Sequence, residues 1–219
     1  MLSTSTTHKR VRFRDHRLLQ GLAAWYGLVW IVLAIAPLDR HDWMLENILV
    51  VLGVALLIGT YRAFPLSDLS YVLITVFMTL HTLGAHWTYA QVPFGFWMER
   101  VMGLARNPFD RLVHCAFGLL LAYPIREVFL RVANARGFWA YYLPLDVTLA
   151  FSALYEIMEM VVATLVAPGT GDAWLGTQGD VWDAQKDMAM AALGALVCMT
   201  VTAIVRRLRR APPVLLAGS

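Results

Sequence analysis

Three aspartates stand at helical spacing directly before a long apolar segment. Asp180, Asp183 and Asp187 are three and then four residues apart, so a helix that begins at or before Asp180 places their carboxylates on one face. Residues 188–205 carry no charge, so Asp187 enters a helix of membrane-spanning character, where an ionisable group is costly. This indicates a functional role for Asp187. Asp180 and Asp183 also suit a solvated loop or a helix N-terminus, where negative charge is favourable.

Other ionisable side chains form local pairs elsewhere in the chain. Asp110 and His114 are four residues apart, and Glu156 and Glu159 are three apart, so each pair can point from one helical face into the same cavity. His81 and His86 are five apart and project at a wide angle from each other. A packing role is the alternative for a single histidine.

Imidazole together with carboxylates is the donor set of a divalent metal such as zinc or manganese. A metal also stabilises acids that lie close together in a low dielectric. We predict a membrane-embedded, metal-dependent hydrolase or transferase that acts on a lipid or lipid-linked substrate through activated water. The predicted metal ligands are Glu156, Glu159, Asp183, Asp187 and His114. The predicted acid–base residues are Asp110, His114, His81 and His86, and Arg111 and Lys186 are expected to hold an anionic group such as phosphate.

Two functions of other classes stay open. Intramembrane acids and histidines also suit a proton- or ion-coupled transporter. Against transport, most spans carry no ionisable residue in their opposite half, and Asp146 is the main exception. In a ligand-binding or scaffold protein, the charges of Asp110 with Arg111 and of Asp187 with Lys186 would only pair between helices and fix their packing. Bound metal in protein purified without added ions separates these classes.

Composition sets the class of protein. Of 219 residues, 59% are hydrophobic and 15% charged, and the mean hydropathy is +0.59, whereas soluble domains have about 45–50% apolar and about 25% charged residues. The chain is therefore predicted to be an integral membrane protein. Its two cysteines, Cys115 and Cys198, lie in apolar runs and provide neither a disulfide framework nor a metal motif.

Six apolar runs approach the roughly 20 residues that a helix needs to cross a bilayer. They are residues 18–38, 45–61, 69–89, 112–130, 143–166 and 184–205. The second run is short, so five or seven spans stay open. We predict an all-α polytopic bundle over residues 18–205, between a basic N-terminus (1–17) and a basic C-terminal tail (206–219). The amphipathic connection 93–109 is expected to form a short interfacial helix.

The basic residues predict the orientation. Thirteen of the eighteen Lys and Arg side chains lie either before the first run or after the second, fourth or sixth run. In a chain that crosses the membrane with each run, all these places are on the same side. By the positive-inside rule both termini are cytoplasmic, and the connections 39–43, 91–109 and 168–182 are outside. Such basic ends suit a membrane surface and give no nucleic-acid signal. With this orientation the third to sixth runs carry their histidines and acids to the outer leaflet, where these groups can converge.

Four stretches also carry a family resemblance: HTLGAHWTYAQVPFG, RNPFDRLVHCAFGLLLAYPIRE, ALYEIMEMVVA and GTQGDVWDAQKDMAMAALGA. Together they resemble the YjdF-type family of uncharacterised bacterial inner-membrane proteins, over nearly the whole chain. The chain is also similar to the pattern of the VanZ-like superfamily, through Asp110–Arg111–x–x–His114, Glu156, and Asp187 with the later Leu–Gly–Ala. Ala191 stands where that family tends to have Asn. The resemblance implies a multi-pass helical protein of the bacterial inner (cytoplasmic) membrane and supplies no established chemistry.

Overall fold

A computed structural model describes residues 12–165 and 177–210. These residues form seven α-helices and no strand: α1 (Arg17–Leu33), α2 (Arg40–Thr60), α3 (Asp68–His86), α4 (Pro93–Met102), α5 (Phe109–Val132), α6 (Trp139–Leu165) and α7 (Asp183–Arg210). The predicted all-α class is confirmed. The basic segment 1–11, the connection 166–176 and the end of the tail, 211–219, lie outside the described residues.

The long helices coincide with the six predicted apolar runs. Five of them, α2, α3, α5, α6 and α7, are long and apolar enough to cross a membrane, whereas α1 has 17 residues. That length is at the lower end of the range of about 17–25 residues for a transmembrane helix. The short helix α4 forms within the predicted amphipathic connection and exposes Phe94, Trp97 and Val101.

Two helix ends differ from the predicted ones for local reasons. The first run was expected to continue to residue 38, but α1 ends at Leu33 because Ala36 has φ of 47° and Pro37 follows it. The second run was expected to begin at residue 45, but α2 begins at Arg40. There the side chain of Asp39 accepts hydrogen bonds from the backbone N–H groups of His41 and Asp42, which satisfies unpaired donors of the first turn.

Side-chain contacts establish the relative directions of the helices. His16, just before α1, lies 3.0 Å from Asp68 at the start of α3, and Leu33 at the end of α1 contacts His86 at the end of α3, so α1 and α3 are parallel. Glu127, near the end of α5, accepts hydrogen bonds from Ser67 and Ser70 at the start of α3, so α5 is antiparallel to α3.

The closest helix pair is α5 with α7, which run parallel. A Cβ placed on Gly118 would lie 1.9 Å from the carbonyl oxygen of Ala191, and one on Gly194 would lie 2.1 Å from that of Cys115. The two backbones therefore touch at both glycines, as small residues allow in membrane helix pairs. This contact sets the height of α7 against α5, and with it the height of Asp187 against Asp110.

We expect labelling of single cysteines to show that the polar end of the bundle faces outward. The contacts place the starts of α2, α5 and α7 and the ends of α1, α3 and α6 at one end, and the basic residues predict that this end lies outside. In a chain without Cys115 and Cys198, a membrane-impermeant maleimide should label Thr177→Cys in intact spheroplasts. Ala133→Cys, in the exposed turn between α5 and α6, should react only after permeabilisation. The reverse pattern would contradict the orientation.

Candidate functional site

The polar end of the bundle holds a histidine between two carboxylates. Nε2 of His114 lies 3.7 Å from Oδ1 of Asp110, one turn earlier on α5, and 3.4 Å from Oε1 of Glu156 on α6. Nδ1 of the same ring lies 3.5 Å from the hydroxyl of Ser152. His114 is buried, as is Ser152. The predicted Asp110–His114 pair is therefore formed, and α6 adds Glu156 and Ser152 to it.

Asp187 of α7 joins Asp110, His114 and Glu156, and we call these four residues the His114 group. Asp110, His114 and Asp187 each offer one ligand atom, and the three atoms lie within 4.8 Å of one another. Asp187 is only 2% exposed. Its Oδ1 and the Oε1 of Glu156 are buried, and neither accepts a hydrogen bond from the described part of the chain. Small side-chain rotations would bring the three atoms to the ligand spacing of a metal ion, whose bonds to N and O measure about 2.0–2.2 Å.

Hydrogen bonds between two loops place the starts of α5 and α7 side by side. The backbone N–H of Asn107 donates to Oε1 of Gln178, and Nε2 of Gln178 donates to the carbonyl of Asn107, at 3.0 and 3.1 Å. Oδ1 of Asn107 also accepts a hydrogen bond from the N–H of Phe109, the first residue of α5. Arg106 donates to the carbonyl of Thr177 at 2.8 Å. These contacts hold Asp110 and Asp187 at one level.

Ion pairs close the outer rim of the site. Asp183 is bound by Arg106 and Arg111, and Asp180 by Arg111 and Lys186. The hydrogen bond from Lys186, with help from the N–H of Trp182 and from Arg111, holds the pKa of Asp180 well below its usual range. Asp183, a predicted metal ligand, is thus engaged by two guanidinium groups. Arg111 and Lys186, the predicted anion holders, take part in these pairs.

A second polar cluster lies beside this one at the same end of the bundle, around the buried Glu46 of α2. The hydroxyl of Tyr155 donates to the Glu46 carboxylate, with distances of 3.2 and 3.1 Å to its two oxygens. The ring of Tyr155 packs edge-on against that of His114, with 5.8 Å between centroids. Glu159 lies beside Tyr155 and Glu156. Tyr155 therefore links the Glu46 cluster to the His114 group.

Both ring nitrogens of His81 are occupied within the Glu46 cluster. Nε2 lies 3.3 Å from the carbonyl oxygen of Glu46 and Nδ1 lies 2.6 Å from the hydroxyl of Tyr89. Because a carbonyl can only accept, Nε2 carries a proton and donates it to Glu46. Gly84 makes room for Tyr89, since a Cβ there would lie 2.5 Å from the Tyr89 ring. His81 is thus fixed between Glu46 and Tyr89.

His86 is placed differently from the other predicted site residues. Its Nδ1 lies 2.8 Å from the carbonyl oxygen of Leu33, so this nitrogen carries the proton and donates it. The ring also contacts Trp87. These contacts hold the ends of α1 and α3 together. Of the predicted residues, the structure brings Asp110, His114, Glu156 and Asp187 into one group and directs His86 towards α1.

An apolar cleft descends from this group between α2, α3, α5 and α6. Its volume is about 630 Å³. His81, Tyr89, Asp110, His114, Ser152 and Tyr155 line its polar end. Below them the wall is formed by Leu, Ile, Val, Phe and Met side chains and reaches Leu66 and Val128, which lie at the opposite end of α3 and α5. The cleft therefore offers an apolar channel along much of the membrane depth, with ionisable groups at one end.

Sequence reasoning missed several residues of this site: Glu46, Tyr89, Arg106, Ser152 and Tyr155. Two signals could have found some of them. Ser152, Tyr155, Glu156 and Glu159 follow the i, i+3, i+4, i+7 pattern of one helical face. Glu46 is a lone acid within an apolar run, the same feature that singled out Asp187. Tyr89 and Arg106 lie in connections, where helical spacing does not apply.

Comparisons with known proteins agree with the membrane architecture. The family model described as "Predicted membrane protein (DUF2238)" matches residues 18–208. The chain is 40% identical over 196 residues to the Escherichia coli (strain K12) protein named inner membrane protein YjdF, which covers 88% of this chain and 93% of that protein. No solved structure matches the chain. The VanZ-like resemblance is not shown by these comparisons.

Proposed function

This chain belongs to the DUF2238 family of membrane proteins and is a multi-pass protein of the bacterial inner membrane, and we propose that it binds a lipid in its apolar cleft. We further propose that it acts on the polar group of that lipid through a divalent metal held by Asp110, His114 and Asp187. The observation that carries the proposal is the junction of the cleft with the His114 group. Asp110 and His114 belong to both.

The shape of the cleft supports a lipid or lipid-linked substrate. Ligand pockets measure about 300–1,000 Å³, and a cleft of about 630 Å³ with an almost wholly apolar wall suits an acyl or prenyl chain. Such a chain would enter along the membrane interior and leave its polar group beside Asp110 and His114. A water-soluble substrate would have no use for the lower part of the cleft.

The charges of the His114 group support a metal. Asp110, Glu156 and Asp187 bring three carboxylates to one buried site, and Arg111 reaches only to 3.9 Å from Asp187. Three protein ligands with one open position are typical of catalytic zinc. A bound divalent ion would compensate the negative charge and activate a water molecule. The Oε1 of Glu156 accepts no hydrogen bond from the described residues, so Glu156 would take a proton from that water.

The outer rim supports an anionic polar group on the substrate. Arg106, Arg111 and Lys186 bring three positively charged side chains to the rim, where they pair with Asp180 and Asp183. Guanidinium and ammonium groups are the usual ligands of a phosphate or carboxylate. Arg111 and Lys186 would hold it while staying paired with Asp180.

Ion transport has less support. A proton or ion path needs ionisable or hydrated groups through the membrane. The part of the cleft below Tyr155 and His114 is lined by apolar side chains. The buried Glu46 and His81 lie at the same end as His114 and so extend the polar site without continuing it inward.

A bulky side chain in the cleft is expected to displace the bound lipid. Met78 lines the cleft, whereas Val76, on the same helix, is 44% exposed and does not line it. Met78→Trp should reduce the lipid that co-purifies with the protein by about tenfold, and Val76→Trp should leave it unchanged. The measurement is native mass spectrometry of protein released from detergent. Equal lipid retention by the two variants would count against a lipid in the cleft.

A further inference from the structure

The opposite end of the bundle holds a buried arginine that pairs with no acid among the described residues. Arg126 of α5 is 4% exposed, and its guanidinium carbon lies 4.7 Å from the centre of the Tyr141 ring. Its Nε is buried and donates no hydrogen bond within the described part of the chain. A buried charge is costly unless it is paired and hydrogen-bonded. The guanidinium contacts Tyr141, but no carboxylate among the described residues balances its charge, which leaves a requirement for an anion.

The neighbours of Arg126 increase that requirement. Arg206 of α7 is near enough to repel it electrostatically, and Tyr123 and Tyr141 also interact with it. Ala122, Cys198 and Met199 pack beneath them in one apolar cluster. Two like charges beside an apolar floor repel each other, and a bound anion would offset this repulsion.

Three acids at this end do not pair with Arg126. Glu127 follows Arg126 in the sequence, but its carboxylate accepts hydrogen bonds from Ser67, Ser70 and Arg131. Asp68 pairs with His16, and Asp146 is exposed and accepts a hydrogen bond of 3.5 Å from the hydroxyl of Tyr142.

We propose that Arg126 and Arg206 bind a phosphate group at the end of the bundle opposite to the His114 group. A guanidinium binds phosphate through two parallel hydrogen bonds, and two arginines across a helix seam match its charge. The ring of Tyr141 holds the Arg126 guanidinium in place through a cation–π contact. The phosphate is that of an anionic phospholipid or a free inorganic ion, since both present the same oxygens. This site is independent of the metal and lipid proposals above.

The test uses full-length, delipidated protein in a neutral detergent and measures its thermal unfolding midpoint during titration. Three probes are compared at equal ionic strength: short-chain phosphatidylglycerol, inorganic phosphate, and phosphatidylcholine as the zwitterionic control. We expect phosphatidylglycerol or phosphate to raise the midpoint, whereas phosphatidylcholine raises it less. Stabilisation by both anions identifies a general phosphate site, and stabilisation by phosphatidylglycerol alone identifies a lipid head group.

Variants separate this site from the general positive charge of the same end. Arg126→Gln and Arg206→Gln should each weaken the apparent affinity by about tenfold or more, the scale of a lost charge-assisted hydrogen bond. Arg209→Gln, an exposed arginine on the same helix, should leave it unchanged. If Arg126→Gln does not fold, Arg126→Lys should fold and still bind more weakly. Absence of any anion-specific stabilisation, or equal losses in Arg206→Gln and Arg209→Gln, would overturn the proposal.

Discussion

Replacing Gly194 by alanine is expected to lower the free energy of unfolding by about 3 kcal/mol or more, the upper end of the cost of overpacking. The added Cβ would lie 2.1 Å from the carbonyl oxygen of Cys115 and 2.7 Å from the backbone nitrogen of Leu119. Both are backbone atoms of α5, so no side-chain rotation can relieve the clash. The helices α5 and α7 must therefore move apart, which also weakens the close contact between their backbones at Gly118.

The matched control is Gly27→Ala on α1. A Cβ there meets no atom within 4 Å, so the change should be neutral or stabilise the helix by up to about 1 kcal/mol. The measurement is the unfolding midpoint of both variants in mixed detergent micelles. Equal stability of the two variants would show that the α5–α7 seam is not a backbone contact.

Asp110→Asn and His114→Ala are each expected to weaken metal binding by at least about a hundredfold, since even residues outside the ligand shell affect affinity about 10–100-fold. Loss of either ligand already disrupts the shared three-ligand site. The double variant should therefore bind metal little more weakly than the weaker of the two single variants. The measurement is a competition titration with a fluorescent zinc chelator. Asp146→Asn, an exposed carboxylate near the start of α6, is the matched control.

The pattern of losses distinguishes a metal site from a packing site. If Asp110 and His114 only stabilise the helix ends, their changes should lower the unfolding midpoint together with any metal binding. Independent, additive losses in the double variant would also argue against one shared ion. The expected result is a folded protein with normal secondary structure by circular dichroism and without metal affinity.

The helices and the end of the bundle at which the site forms could be predicted from the sequence. Apolar run lengths located α2, α3, α5, α6 and α7, and spacing placed Asp110 with His114 on one face. Alternating helix direction then carried Glu156 and Asp187 to the same end. Each of these steps needs only the helical period and the thickness of a bilayer.

The identity of the groups that meet could not be predicted in the same way. Helical period does not fix how far one helix is shifted along another or rotated towards it. Here Gly118 and Gly194 set the shift of α7 against α5, and the Asn107–Gln178 hydrogen bonds set the level of the loops. As a result Asp187 approaches His114, whereas Asp183, one turn earlier, is bound by Arg106 and Arg111.

Burial is the second property that composition leaves undetermined. Arg126 counts in the sequence as one of thirteen basic residues on one side, yet it is buried, whereas Arg209 is exposed. Glu46 lies in an apolar run without any local partner, and its partners Tyr155 and His81 come from two other helices. Such contacts between distant segments depend on the packing of the whole bundle.

Elemental analysis of the protein purified in detergent without added metal, in parallel with Asp187→Asn, tests the proposed metal site directly. We expect about one divalent transition metal ion per chain in the natural protein and a large loss in the variant, with the variant still folded. Protein without stoichiometric metal, or an unchanged metal content in Asp187→Asn, would contradict the proposed metal site.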